Sequence, residues 1–383
     1  MTGSPDRPAP MTRDRVVAAA LPVAAIAVLV GFAGLAAVAS ANAGTLGFDF
    51  LSYDLAVRRF FAGGVLYDQS FDYTGAFGLF YYPPPFVLLA APLSVLDPVL
   101  AAWIFTALLV ATYGIGVAIL PVSRTIRWLI LLLGGLSWPL VYAIKLGQVG
   151  PILLLTFAIG WRWMDRPWRL GAATAIGTAI KIQPALLFGW ALLTGRRRAV
   201  ILGLVVLGVL ALLATIVAGP TSWIDQATLL ARVSRPIDTP HNMTPGRMAF
   251  EAGLGRDAAW VVQLANWALV AAVTIWATLR CAPVASYLAI VVASQLISPI
   301  LWDHYALMLL LPVAWLLSRG RWWAVAIPLA TAVPLVGSIP PVTYTIAFWV
   351  TLLAVVYEGR RAAPAADLLP AQASPGADAM LGS

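Results

Sequence analysis

What most constrains this chain is a succession of apolar stretches, many of them about as long as a bilayer is thick, separated mostly by short turns that carry arginine. About 20 apolar residues cross the hydrocarbon core as a helix. Stretches of this kind occur near 16 to 41, 84 to 96, 99 to 120, 128 to 143, 149 to 163, 170 to 194, 199 to 218, 258 to 279, 284 to 301, 304 to 318, 322 to 338 and 342 to 357. Charged residues make up only 10% of the chain, against roughly 25% in soluble domains. Lysine occurs only as Lys145 and Lys181 and glutamate only as Glu251 and Glu358, so the ion pairs that decorate soluble helices have no partners here. The expectation is an all-α polytopic membrane protein with about 12 transmembrane helices, covered by the lipid bilayer. Sixteen tryptophans and eleven tyrosines suit its two interfaces.

The run from Val16 is far longer than the roughly 7 to 15 residues of a signal-peptide core, which favours a retained first helix. Several other runs are short. The stretch 170 to 194 holds Lys181 and Pro184 in its middle, which allows for a broken or re-entrant helix. Basic residues mark the cytoplasmic side of short loops. With twelve crossings, Arg7, Arg13, Arg15, Arg196 to Arg198, Arg319, Arg321, Arg360 and Arg361 share one side, while Arg124, Arg127, Arg162, Arg166 and Arg169 fall on the other and break the rule. The expected plan is a cytoplasmic tail at 1 to 15, a transmembrane domain at 16 to 358 with outer loops near 42 to 82 and 219 to 257, and a disordered tail at 359 to 383. In the first loop, Phe50, Tyr53, Val57, Phe60 and Phe61 recur at helical spacing with Arg58 and Arg59 on another face, as in a short interfacial helix.

The net charge of +8 does not point to nucleic acid, because the arginines lie scattered between apolar runs. Cys281 is alone, and the two histidines, His241 and His304, cannot form a histidine-rich metal site. There is no P-loop, no dinucleotide-binding glycine motif and no H-E-x-x-H. A nucleotide-driven transporter and a metalloprotease are therefore not expected, and nothing calls for a metal or a cofactor.

Few polar residues interrupt the apolar pattern. Asp49, in GFDFLSYD, follows the first helix at the membrane surface, where a carboxyl can be partly desolvated and still reachable, as a general base requires. Taken alone, its position reads more readily as a helix N-cap. Asp54, Asp68 and Asp72 read as solvated loop residues. Lys181, in IKIQP, faces either a cavity with an anionic partner or an interface to which it snorkels. Asp303 and His304, in SPILWDHY, are a functional pair or a cap at a helix junction. Gln148 is a turn residue or a hydroxyl-binding amide. Tyr81 and Tyr82 precede three prolines that impose extended backbone, and Asn242 lies in HNMT of the second loop.

Taken in order, FDFLSYDLAVRRFFAGGVLYD (48 to 68), YYPPPFVLLAAPLSVL (81 to 96), LGQVGPILLL (146 to 155), IKIQPALLFGWALLTGRRR (180 to 198), HNMT (241 to 244) and LISPILWDHYALMLLLP (296 to 312) resemble glycosyltransferase family 87. This family comprises polyprenyl-phosphate-mannose-dependent mannosyltransferases of GT-C fold. The resemblance implies a GT-C-type transmembrane domain with Asp49 as catalytic aspartate, His304 in a similar W-D-H stretch, and Lys181 as the membrane lysine before proline. Catalysis would rest on Asp49 and His304. Lys181, Arg58, Tyr82, Gln148, Asn242 and Asp303 would contact substrate, with Lys181 or Arg58 stabilising the leaving phosphate. The implied partners are a polyprenyl-phosphate sugar donor and a glycolipid or glycan acceptor, at the outer face of a bacterial cytoplasmic membrane. A transporter or flippase of lipid-linked substrates, without covalent chemistry, is the other reading.

Overall fold

The computed structural model describes residues 13–361, and its regular structure is helical apart from one isolated backbone bridge between Ser137 and Ala332. Proline starts many of the helices, since a first-turn residue has no intrahelical use for an N–H. Examples are Pro98, Pro167 and Pro283. The helices α1 (Arg13–Asn42), α2 (Phe48–Phe61) and α3 (Val87–Ala90) come first, the last after a 3-10 turn at Pro84–Phe86. Next comes α4 (Pro98–Ala118), capped by Asp97, whose carboxylate accepts from Val99 N at 3.0 Å and Leu100 N at 3.1 Å. The pair α5 (Arg124–Leu136) and α6 (Trp138–Leu146) is one leg bent at Ser137, and α7 (Gly150–Arg162) runs back beside α4.

After α7 the chain forms α8 (Pro167–Ile180), a 3-10 turn at Gln183–Ala185, α9 (Leu186–Leu193) and α10 (Arg197–Ala218). Two shorter helices, α11 (Thr221–Val233) and α12 (Pro245–Glu251), precede α13 (Arg256–Arg280) and α14 (Pro283–Leu296). A long 3-10 stretch at Asp303–Leu309 leads into α15 (Leu310–Ser318), followed by α16 (Ala326–Leu329) and α17 (Val342–Arg361). Among the described residues, five helical spans are long and apolar enough to cross a membrane: Ala19–Asn42, Pro98–Ala118, Arg197–Ala218, Arg256–Arg280 and Val342–Arg360. On α10, Ile201, Val205, Leu212 and Ile216 are all exposed, a face that water would not tolerate over 22 residues and that lipid covers.

Arginines from the turns between α4 and α5, α7 and α8, and α9 and α10, and from the ends of α15 and α17, gather at one end of the bundle. Arg127 Nη1 donates to Ala118 O at 2.8 Å and Arg162 Nη1 to Ile119 O at 3.1 Å, which joins the α4–α5 and α7–α8 turns. Arg196 faces Asp165 at 3.5 Å and stacks over Trp190, whose indole donates to Ser286 at the start of α14. Ala282 N donates to Gly359 O at 3.3 Å, and Arg321 pairs with Glu358 at 2.9 Å, adding the ends of α13, α15 and α17. The two long polar segments meet at the opposite end: Gln69 Nε2 donates to Asp225 O at 2.9 Å, and Thr74 Oγ1 to Val233 O at 2.6 Å.

This arrangement corrects the expectation that Arg124, Arg127, Arg162, Arg166 and Arg169 lie opposite Arg196 to Arg198. The stretch 84 to 96 is helical only over 84–90 and returns to the end it came from, where Arg58 Nη2 donates to Leu96 O. The stretch 170 to 194 is two legs, with α8 leaving the arginine end and α9 coming back to it. The turns between these two stretches therefore change ends. Asp54 is a second correction. It is not a solvated loop residue: α2 buries it to 2% exposure, and Arg58 Nε holds its carboxylate at 2.6 Å. Residues 359–361 continue α17, and the expected tails at 1–12 and 362–383 lie outside the described residues.

Candidate active site

Two glycines in left-handed conformation bring the site together. Gly47 (φ 69°) starts α2 and donates its N–H to Lys145 O at 2.8 Å, while Gly147 (φ 71°) ends α6. A Cβ on Gly147 would lie 2.6 Å from Phe50 Cβ and 3.3 Å from Gly47 Cα, so only glycine permits this approach. The contact places Asp49, in the first turn of α2, against Gln148. Gln148 Nε2 donates to Asp49 Oδ2, and Gln148 Oε1 accepts from the Tyr82 hydroxyl at 3.2 Å. The Tyr53 hydroxyl in turn donates to Tyr82 at 3.3 Å, and the Tyr82 ring stacks on Phe86. The amide of Gln148 is thereby fixed in the orientation that presents N–H to the carboxylate. The residue before α2 is Gly47, so Asp49 is not its cap.

Asp49 is half-buried, and burial pushes its carboxyl above the usual carboxylate range. The Gln148 hydrogen bond and the positive charges of His304 and Lys181 work against that rise. Lys181 and His304 both touch Tyr305 and both act on the Asp49 charge, although the three residues come from distant stretches of chain.

Lys181 caps the C-terminal end of α8, at the apex of the α8–α9 hairpin. Its Nζ donates to the Tyr305 hydroxyl at 2.5 Å and lies 3.8 Å from that ring's centre. His304 is buried at 4% exposure, next to Tyr305 in an edge-on contact of 4.9 Å; neither of its ring nitrogens is hydrogen-bonded, and Nδ1 lies 3.4 Å from Asp303 Oδ1. Burying Nε2 without a hydrogen bond is costly unless a ligand completes it. Asp303 stands behind it: Oδ1 accepts from His304 N at 2.7 Å, and Oδ2 from the Trp138 indole at 2.8 Å.

The structure therefore brings together Asp49, Tyr82, Gln148, Lys181 and His304, with Asp303 as their support. It does not bring in Arg58 or Asn242. Arg58 lies nine residues along α2 from Asp49, about 13 Å, and is held by Asp54 and Leu96 O. Asn242 is fully buried; its amide donates to Pro236 O and Pro299 O and accepts from Thr244 N and Leu301 N, so it locks the loop before Asp303 and has no bond left for a sugar. Sequence reasoning missed Trp138, Tyr53 and Tyr305. Tyr305 stood inside a quoted motif; Trp138 and Tyr53 were hidden among sixteen tryptophans and the aromatic residues of an apolar face.

Comparison with known proteins places these residues in context. The polyprenol-phosphate-mannose-dependent alpha-(1-2)-phosphatidylinositol mannoside mannosyltransferase of Mycobacterium tuberculosis (strain ATCC 25618 / H37Rv) is 26% identical to the chain over 283 residues. The match covers 66% of each protein, so the chain spans just under two thirds of that relative's length. No solved structure matches. The sequence model of glycosyltransferase family 87 matches residues 80–299, a stretch that includes Tyr82, Gln148 and Lys181 and lies between Asp49 and His304. With more than half of its residues inside that match, the chain belongs to glycosyltransferase family 87.

Proposed function

We propose that this chain is a membrane glycosyltransferase that moves one sugar, mannose, from a polyprenyl-phosphate donor to a glycolipid or glycan acceptor, with inversion at the anomeric carbon. The observation that supports it most is the half-buried Asp49 carboxyl, oriented by Gln148 and sharing its space with Lys181 and His304. Asp49 takes the acceptor's hydroxyl proton as that oxygen bonds to the anomeric carbon. The bond from this carbon to the phosphate oxygen breaks on the opposite face, and polyprenyl phosphate leaves with the electron pair. Charge then grows on the phosphate and must be met by fixed donors. Arg58 is committed elsewhere, which leaves Lys181, steadied by Tyr305, and the Nε2 edge of His304, which makes no hydrogen bond.

The donor class follows from likeness to the mycobacterial relative, which depends on polyprenol-phosphate-mannose according to its name. The arginine end would be cytoplasmic by the positive-inside rule, which puts the site at the outer face of a bacterial cytoplasmic membrane. Membranes containing the chain, supplied with radiolabelled polyprenyl-phosphate mannose, should form a new labelled glycoside. A transporter or flippase would move the label across the bilayer and leave it on the prenyl carrier. Lys181→Leu should insert normally and lose donor use; full turnover in that variant would rule out its contact with phosphate.

A further inference from the structure

At the arginine end, far from the site, a recess of about 370 Å³ is lined by Trp163, Arg166, Trp168 and Arg169. It lies where α7 ends and α8 begins. Lys181 is at the other end of α8, about 21 Å away for a helix of 14 residues. The Arg169 guanidinium sits 4.5 Å over the Trp163 ring and 5.0 Å over the Trp168 ring, while Arg162 covers Trp163 at 5.3 Å. Stacking occupies the faces of a guanidinium and leaves its N–H edge free to bind an oxyanion in bidentate fashion.

No carboxylate answers these charges. Among the described residues, neither Arg166 nor Arg169 forms an ion pair, and Asp165, the only acid in this turn, faces Arg196. Arg124, Arg127, Arg197 and Arg198 add positive charge at the same end. Trp168 is 60% exposed, and the lipid-facing side of α10, which packs on α8, begins here with Ile201 at 62% exposure. The recess thus combines a cationic rim, two indoles at the level tryptophan prefers in a membrane and the edge of an apolar belt.

We propose that this recess binds the phosphate of an anionic phospholipid in the leaflet that meets the arginine end. The guanidinium edges of Arg166 and Arg169 take the phosphate oxygens, and Trp168 packs against the glycerol and upper acyl carbons. Such a lipid would hold the foot of α8. Nothing in this site depends on the chemistry proposed above, and its test needs no turnover.

The test is native mass spectrometry of the full chain released from vesicles of equal phosphatidylglycerol and phosphatidylcholine. The wild-type protein should retain phosphatidylglycerol selectively, and Arg166→Gln/Arg169→Gln should lower its retention roughly tenfold or more. Arg197→Gln/Arg198→Gln removes equal charge outside the recess and should keep selectivity. Arg166→Gln alone, at an exposed position that cannot disturb folding, should already weaken retention. Equal retention in the recess variants would overturn the proposal, as would an equal loss in the Arg197/Arg198 pair, which would mean diffuse charge attraction. Displacement of the lipid by inorganic phosphate would overturn the choice of a lipid and leave a site for a soluble phosphate compound.

Discussion

At Asp49 two influences act on one carboxyl in opposite directions: burial favours the protonated form, and Gln148, Lys181 and His304 favour the ion. Gln148→Leu removes one restraint, so the carboxyl's pKa should climb further. A general base works only when deprotonated, and the acid limb of kcat/KM should therefore move to higher pH; a limb that stays in place belongs to another group. Asp49→Asn keeps the size of the side chain and cannot accept the proton, so transfer should fall by about 10² to 10⁴ at unchanged donor affinity. Because the folded state raises this pKa, the ionised carboxylate costs stability at neutral pH, and Asp49→Asn should hold or raise Tm. Asp54→Asn should do the reverse, lowering Tm by weakening the buried pair with Arg58 and leaving per-molecule turnover nearly intact. Equal loss of turnover in both variants would take Asp49 out of the chemistry. Asp49, Lys181 and His304 were legible in the sequence as polar residues at the edges of apolar runs. Gln148 was legible as a polar candidate too, but its pairing with Asp49, 99 residues away, was not. Asp54 was misread although its signal was present, since Phe50, Tyr53, Asp54 and Val57 occupy one helical face.

Among the elements, the α8–α9 hairpin was hardest to foresee. Hydropathy weighs how much apolar chain is present, and 25 such residues with a proline inside read the same whether they cross once or turn back. What decides is tertiary packing: α8 lies against α10 so closely that a Cβ on Gly171 would meet Gly203 N at 2.8 Å. Gly171→Leu should force the two helices apart, costing about 1 to 3 kcal/mol or more as overpacking does, and should lower both Tm and donor use, because Lys181 sits at the far end of α8. A variant with unchanged Tm would show that this contact is dispensable. The interfacial helix expected in the first polar segment is present as α2, but it carries part of the core, with Phe50 stacked on Phe105 at 4.5 Å.

For the whole molecule, the corrected path makes a prediction that the hydropathy pattern alone does not. In a Cys281→Ser background, single cysteines at Ser70 and Ala252 should react with an impermeant thiol reagent from outside intact spheroplasts. Cysteines at Thr125 and Arg198 should both react only after the membrane is opened. Labelling of the Thr125 position from outside would restore the original crossing pattern and refute the hairpin. The arginine rule failed in the sequence because 84 to 96 was taken as a crossing and 170 to 194 as a single one, which put the turns between them at the wrong end.

The glycine contact that seats Asp49 beside Gln148 also bears on how the protein is made. Asp49 leaves the ribosome early, Gln148 follows roughly a hundred residues later and His304 some 250 residues later; at about 5 to 20 residues per second the last interval is on the order of 10 to 50 s. Until residue 147 arrives, the first helix must wait in the bilayer with α2 beside it and its glycine seat unfilled. A nascent chain stalled before residue 147 would carry the base without its orienting amide, and one stalled before residue 304 would lack the imidazole. Biogenesis therefore sets a strict order, in which the site becomes whole only once nearly the entire bundle has been inserted.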